Sequence, residues 1–286
     1  MQIFKGLPAA QVSFLRSCGA VRVVEAGQLL FREGDPALGL FVVLSGTVEI
    51  FRGQGAGEAV LRRLGPNAVF GEMGLLWDAK ARTASARASE QATLFELPRN
   101  PVELLGKIDD KTAAIRFVQN LVCVLGERLR AKDHGEGLEA GRLRLHEAVE
   151  VDGSRALAEI ESHLPDGLFA RFFSSKSAKP GALLCREGDA SDAFFFVRAG
   201  VVEVLKEGQA EPVASFAAPA LAGEVGFFGG EPRSATLRAV TELEYVVFDA
   251  KDWKRLVEKS QDDALALVLA AAQLSVQLIR EREGSA

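Results

Sequence analysis

The chain has 286 residues, of which 48% are hydrophobic and 26% charged, with a net charge of −5. At roughly 100–200 residues per domain, that length predicts two domains, each able to bury its own core. The acidic balance excludes an overall basic field for nucleic acid or an anionic membrane surface. No apolar run approaches the roughly 18 residues of a spanning helix, and the opening MQIFKGLPAAQVSFLRS has no apolar signal core. These features predict a cytoplasmic protein with no nucleic-acid and no membrane partner. Cys18, Cys123 and Cys185 are odd in number and far apart in sequence, which predicts reduced, partly buried thiols.

In chain order, a short helix is predicted at Pro8–Cys18. Short β-rich runs follow at Leu40–Leu44, Thr47–Phe51, Val60–Leu64 and Ala92–Leu97. A long helix is predicted over Asp110–Ala131, with Ile115, Val118, Val122, Leu125 and Leu129 stepping by three and four. Lys132–Gly153 opens polar and glycine-rich, as a joint would, and includes a helical stretch at Leu138–Val149. A second short helix is expected at Ser154–His163, with Leu157, Ile160 and Leu164 at helical spacing. Further β-rich runs occupy Phe194–Val197, Val201–Leu205, Pro212–Phe216 and Leu243–Phe248, before a last long helix over Asp262–Glu283. Its apolar positions Leu265, Leu269, Ala272, Val276 and Ile279 also form a heptad-like seam. Each seam suits packing on its own barrel and, equally, pairing of terminal helices in a homodimer.

The chain repeats itself. Gly27–Phe51 reads GQLLFREGDPALGLFVVLSGTVEIF, and Gly181–Leu205 reads GALLCREGDASDAFFFVRAGVVEVL, with about half the positions identical at an offset of 154. The offset falls to 152 at Gly71/Gly223 and to 151 at Arg82/Arg233, as loop-length changes produce. This period is far beyond the 20–50 residues of a solenoid, so it marks a duplicated domain. Ser45-Gly46 and Ala199-Gly200 are the expected tight turns with positive φ. Many short, evenly spaced strands predict a mainly β fold with flanking helices: two tandem β jelly-roll domains, each ending in a long helix. The predicted boundaries are 1–131 for the first domain, 132–153 for the linker and 154–286 for the second domain.

The chemistry sits in a Gly-Glu turn followed about ten residues later by an arginine. Gly71-Glu72-Met73-Gly74-Leu75 reads as a glycine turn entering a short helix, where backbone N–H groups suit a phosphate. Arg82 adds a planar fork of donors matched to phosphate oxygens. Glu72 only accepts, so it suits a sugar hydroxyl. The second copy repeats the set as Gly223, Glu224, Gly226 and Arg233. A single copy reads more readily as a surface ion pair in a turn; two copies at one place in one fold do not.

Both copies resemble cyclic nucleotide-binding domains, the jelly rolls of catabolite activator proteins, kinase regulatory subunits and cyclic-nucleotide-gated channels. The matching pieces are REGD (Arg32–Asp35 and Arg186–Asp189), the turn glycines Gly46 and Gly200, and the cassettes FGEMGLLWDAKARTAS (Phe70–Ser85) and AGEVGFFGGEPRSAT (Ala222–Thr236). The opening IFKGLPAAQVSFL is similar to the family's N-terminal helix. The resemblance implies that Glu72 and Glu224 accept from the ribose 2′-hydroxyl and that Arg82 and Arg233 pair with the cyclic phosphate. It also implies that Gly71, Gly74, Gly223 and Gly226 let the backbone approach, with Thr83, Ser85, Ser234 and Thr236 completing the ligand shell. Ala81 departs from the family's proline before the arginine, and Ala222 from its phenylalanine before Gly-Glu. Thr83 leaves cGMP open at site one; cAMP is the favoured ligand overall.

Other classes lose ground on what is missing. The only histidines, His134, His146 and His163, fall in or near the linker, so a barrel metal site is not expected, and no phosphate loop, nucleophile elbow or HExxH helix occurs. The expectation is no enzyme, no catalytic residues, no metal and no cofactor. The chain ends within four residues of Arg282 and its first domain starts near Ile3, which predicts neither a helix-turn-helix nor a kinase-inhibitor segment, hence no effector of its own. The resulting expectation is a cyclic-nucleotide receptor that signals to an unidentified partner protein through its terminal helices. The alternative is a scaffold on the same fold with degenerate sites.

Overall fold

The computed structural model describes residues 2–53, 55–76, 81–98, 100–106, 110–133, 175–218 and 220–284. The chain separates into two compact units, divided between residues 140 and 141. The expected linker residues 134–153, the helix at Ser154–His163 and all three histidines lie outside the described residues.

The first unit begins with a short 3-10 turn at Gln2–Phe4 and helix α1 (Ala9–Ser17). Eight strands follow: β1 (Ala20–Val24), β2 (Leu29–Phe31), β3 (Leu40–Ser45), β4 (Val48–Arg52), β5 (Ala59–Leu64), β6 (Val69–Phe70), β7 (Ser85–Ala88) and β8 (Ala92–Leu97). They form two four-stranded antiparallel sheets in the orders β1-β8-β3-β6 and β2-β7-β4-β5. Between β6 and β7 sits helix α2 (Met73–Leu76); after β8 come α3 (Pro101–Gly106) and α4 (Thr112–Asp133).

The second unit repeats this plan. Its strands are β9 (Ser175–Ala178), β10 (Leu183–Cys185), β11 (Ala193–Ala199), β12 (Val201–Leu205), β13 (Ala214–Ala217), β14 (Ala220–Ala222), β15 (Thr236–Ala239) and β16 (Leu243–Asp249). The sheet orders are β9-β16-β11-β14 and β10-β15-β12-β13, the first unit's orders with eight added to each strand number. Helix α5 (Glu224–Gly229) takes the place of α2, and α6 (Ala250–Lys259) and α7 (Gln261–Gly284) follow the last strand. The mainly β fold of two tandem jelly rolls is therefore what the chain forms.

The sheets close because alternate side chains point inward. In the first unit Phe41, Val43, Val48, Phe70, Ala86, Ala88 and Leu94 fill the barrel. In the second the corresponding filling is Phe195, Val197, Val202, Ala222, Leu237 and Ala239. Gly46 (φ 76°) and Gly200 (φ 98°) make the turns between the third and fourth strands of each barrel, as expected. A Cβ would lie 2.4 Å from the Gln91 carbonyl oxygen at Gly46 and 2.3 Å from the Glu242 carbonyl oxygen at Gly200.

Several expectations need correction. The run predicted from Pro212 pairs as a strand only from Ala214. Short strands such as β2, β6, β10 and β14, with two or three residues each, carry too few positions to show a period of two. In α7 the predicted seam holds only in part. Ala272, Val276 and Ile279 are buried, but the earlier turns bury Ala264, Leu267 and Val268, leaving Leu265 and Leu269 partly exposed. In α4 Ile115, Val118, Val122 and Leu125 are buried as predicted, together with Phe117 and Leu121. This wide face meets the N-terminal turn: Phe117 packs 6.4 Å from Phe4, and Asn120 Nδ2 donates to the carbonyls of Ile3 (3.0 Å) and Lys5 (2.9 Å).

The cysteines are thiols rather than disulfides, each half-buried. Among the described residues no helix is long and apolar enough to cross a membrane.

Candidate functional site

Each REGD segment is a turn that its own aspartate closes. Arg32 N–H donates to Asp35 Oδ2 at 2.7 Å, and Arg186 N–H to Asp189 Oδ2 at 2.9 Å. The turn then grips the cassette arginine by its main chain. Arg82 N–H donates to the Asp35 carbonyl (2.8 Å) and its carbonyl accepts from Gly34 N–H (2.9 Å); Arg233 has the same pair with Asp189 and Gly188, at 2.8 and 2.9 Å.

The guanidinium groups are buried and held by carbonyls. Arg82 Nη1 donates to the carbonyls of Gly39 and Gly71, both at 2.8 Å. Arg233 Nη1 donates to the Gly223 carbonyl at 3.2 Å, and Nη2 to that of Ala193. In both, Nε is buried and makes no hydrogen bond among the described residues. A buried donor of this kind costs stability unless something accepts from it, so the site suits an anion. Burial pulls the Arg82 pKa down from its ordinary value, while the charges of Glu72, Glu96 and Asp35 act in the opposite direction.

The glycines are there for space and for backbone angle. Gly71 and Gly223 both have φ of 81°. A Cβ would stand 2.5 Å from Arg82 Nη1 at Gly71 and 2.3 Å from Arg233 Nη1 at Gly223, so glycine is what lets the arginine in. Gly74 packs where a Cβ would meet Ala37 Cβ at 2.5 Å, and Gly226 where it would meet Ser191 Oγ at 2.4 Å.

Glu72 is fully buried, immediately before α2. Its Oε1 accepts from Arg128 Nη1, on α4, and its Oε2 has no hydrogen-bond partner. Arg128 Nη2 donates to the Val69 carbonyl, so one guanidinium joins the terminal helix to strand β6 and to the start of the cassette. Glu224 opens α5. Desolvation pushes its carboxyl above the ordinary range, with its own backbone N–H and the Arg233 charge pulling it down.

The remaining predicted residues take two kinds of place. Ser85 Oγ accepts from Glu33 N–H at 3.0 Å and Thr236 Oγ1 from Glu187 N–H at 2.9 Å, so both hydroxyls brace the REGD turn. Thr83 is half-buried and its carbonyl accepts from Arg52 Nε at 3.0 Å; Ser234 is exposed. Sequence reasoning missed Arg128, which reads on its own as a solvated helix arginine, and Phe31, whose ring lies 4.2 Å from Arg82 Cζ.

A jelly roll with a positive-φ Gly-Glu turn, a buried carboxylate and a buried arginine suits a small anionic ligand bearing a hydroxyl. The chain matches the family described as Cyclic nucleotide-binding domain over residues 21–107 and 175–260, well over half its length, and it belongs to that family. It is 27% identical over 234 residues to a cAMP-dependent protein kinase regulatory subunit of Yarrowia lipolytica, covering 82% of this chain and 52% of the relative. It is 36% identical over 151 residues to the Cyclic AMP receptor protein of Thermus thermophilus, covering 51% and 63% of the two. Among solved structures, the regulatory domain of Toxoplasma gondii PKA with cAMP is 21% identical, with 99% of this chain and 92% of that chain covered and a TM-score of 0.35. The chain spans about half the length of the kinase regulatory subunits it matches. It carries cyclic nucleotide-binding regulatory domains similar to those of kinase regulatory subunits.

Proposed function

We propose that this protein is a two-site cyclic-nucleotide receptor, with cAMP as the favoured ligand, that reports occupancy to a partner protein through α4 and α7. The observation that carries the reading is the pair of buried arginines, each with a Nε that makes no hydrogen bond, beside a Gly-Glu turn. A cyclic phosphate supplies the acceptor for Nε, and the adjoining ribose hydroxyl can donate to Glu72 Oε2, which makes no hydrogen bond. In the second unit Glu224 takes the same part. Thr83 follows the arginine, the position from which the resemblance implies a guanine contact, so cGMP is the second ligand to test at site one. The relatives named for cAMP support the first choice.

Signalling follows from Arg128. A ligand that engages Glu72 alters the electrostatic environment of a guanidinium on α4. The terminal helix shifts to the extent that the ligand prefers one arrangement over another. The chain's role is regulatory, without catalysis of its own, and it acts in the cytoplasm.

The test is calorimetric titration of the full chain with cAMP and with cGMP. The expected result is two binding events, of which Arg82→Ala removes one and Arg233→Ala the other, each variant losing at least tenfold in affinity at its own site. No heat with either nucleotide rules out the receptor reading.

A further inference from the structure

The two sites are not copies at their walls. In the first unit three rings stand together beside the arginine: Phe41 and Phe70 stack at 5.0 Å, and Phe31 lies 5.7 and 6.1 Å from them. The Arg82 guanidinium sits over Phe31 at 4.2 Å and near Phe41 at 5.6 Å. In the second unit the offsets of the repeat put Phe195 at the place of Phe41, Cys185 at that of Phe31 and Ala222 at that of Phe70. Strand pairing agrees, since Phe31 faces Ala86 in the β2–β7 pair and Cys185 faces Leu237 in the β10–β15 pair. Among the described residues Arg233 retains only the counterpart of the more distant ring, Phe195, at 5.3 Å.

This difference matters because both arginines are buried, at 7% and 5% exposure, where a ring face under a cation is worth more than at a surface. Phe31 covers one face of the Arg82 guanidinium, restrains it, and confines a phosphate to its edge, where Nε lies. Arg233 lacks that plate. Its hold on the two backbone carbonyls also differs: it spends Nη1 and Nη2 on one each, whereas Arg82 meets both through Nη1.

We infer that Phe31 makes the two sites unequal: it is a positioning residue for Arg82, and site one binds the cyclic phosphate more tightly than site two, where Cys185 stands in its place. The inference rests on the reading that both cassettes bind cyclic nucleotides, and it adds which site fills first and why.

The experiment uses the full chain with one site disabled, titrated calorimetrically with cAMP. Arg233→Ala isolates site one and Arg82→Ala isolates site two. In the site-one protein, Phe31→Cys and Phe31→Leu are expected to weaken binding roughly three- to thirtyfold, and Phe31→Trp to keep it, because Leu fills the space without a π face. A purely packing role for Phe31 predicts that Leu is tolerated and Trp is not. In the site-two protein, Cys185→Phe is expected to tighten binding, and Cys185→Phe with Ala222→Phe to tighten it further by restoring the ring that backs it. Binding by Phe31→Leu equal to the parent overturns the inference, as does a site two tighter than site one. If neither parent binds cAMP, the receptor reading fails and this inference falls with it; binding by both parents with Phe31→Leu unchanged overturns this inference alone.

Discussion

Arg128 reaches back across 56 residues of sequence to donate to Glu72, so a side chain of the terminal helix neutralises the cassette's only fully buried carboxylate among the described residues. The arginine is itself only 14% exposed. Breaking such a pair from one side strands a charge, whereas removing both charges does not. Arg128→Ala is therefore expected to destabilise the first unit by about 3 kcal/mol. Adding Glu72→Gln should recover most of that loss. Differential scanning calorimetry of the full chain checks this, by whether the first unit's transition falls and then returns.

The cassette glycines carry a second prediction. Gly71→Ala combines left-handed strain with a Cβ 2.5 Å from Arg82 Nη1. Gly27→Ala carries similar strain, at φ 79°, with nothing within 4 Å of its Cβ. Both should cost about 1–2 kcal/mol in stability. Only Gly71→Ala should also lower cAMP affinity at site one, by tenfold or more. Equal affinities for the two variants would show that the arginine does not depend on the glycine.

Protonation of Glu224 couples binding to pH. Desolvation raises its pKa, so between the usual carboxylate value and the raised one the folded protein holds a proton that the unfolded chain has released. Its contribution to stability therefore falls as pH rises through that window. A ribose hydroxyl donating to the carboxylate favours its ionised form. cAMP binding at site two should thus release a proton there, and affinity should rise with pH. Titrations of Arg82→Ala protein in buffers of different ionisation heat measure that proton, and Glu224→Gln should abolish it.

Trp253 offers an optical readout of the second site. Its ring lies 5.2 Å from Phe228, which belongs to α5 within the cassette, and 6.5 Å from Phe194. The chain has two tryptophans, Trp77 and Trp253, so Trp77→Phe leaves a single reporter. Adding cAMP to that variant should change its emission, and Arg233→Ala should remove the change. An unaltered spectrum at saturating cAMP would mean that α5 and α6 do not move relative to each other.

The duplicated barrel could be read from the chain because apolar runs such as Phe194–Val197 are long enough to show a strand and because each appears twice. Strands of two or three residues could not, since hydrogen-bond partners define them rather than any period of their own. Helix α6 was missed, although its N-cap is a common one: Asp249 accepts from the N–H groups of Lys251 and Asp252 at 2.8 Å. Glu72, Arg82 and their counterparts were legible as repeated chemistry. Arg128 was not, because its partner comes from another element. The importance of Phe31 emerges only when it is set against Cys185, because an aromatic in a strand is usually core and nothing more.

The grip of the REGD turn on the arginine backbone accommodates the last one-residue slip in the repeat, from an offset of 152 to 151. Nine residues lie between Glu72 and Arg82, and eight between Glu224 and Arg233. Each arginine is anchored by its main chain to the distant aspartate turn in the same way, so the one-residue difference between the cassettes leaves that anchor unchanged. The cassettes thus differ in length while the arginine keeps the same hold on the aspartate turn in both units.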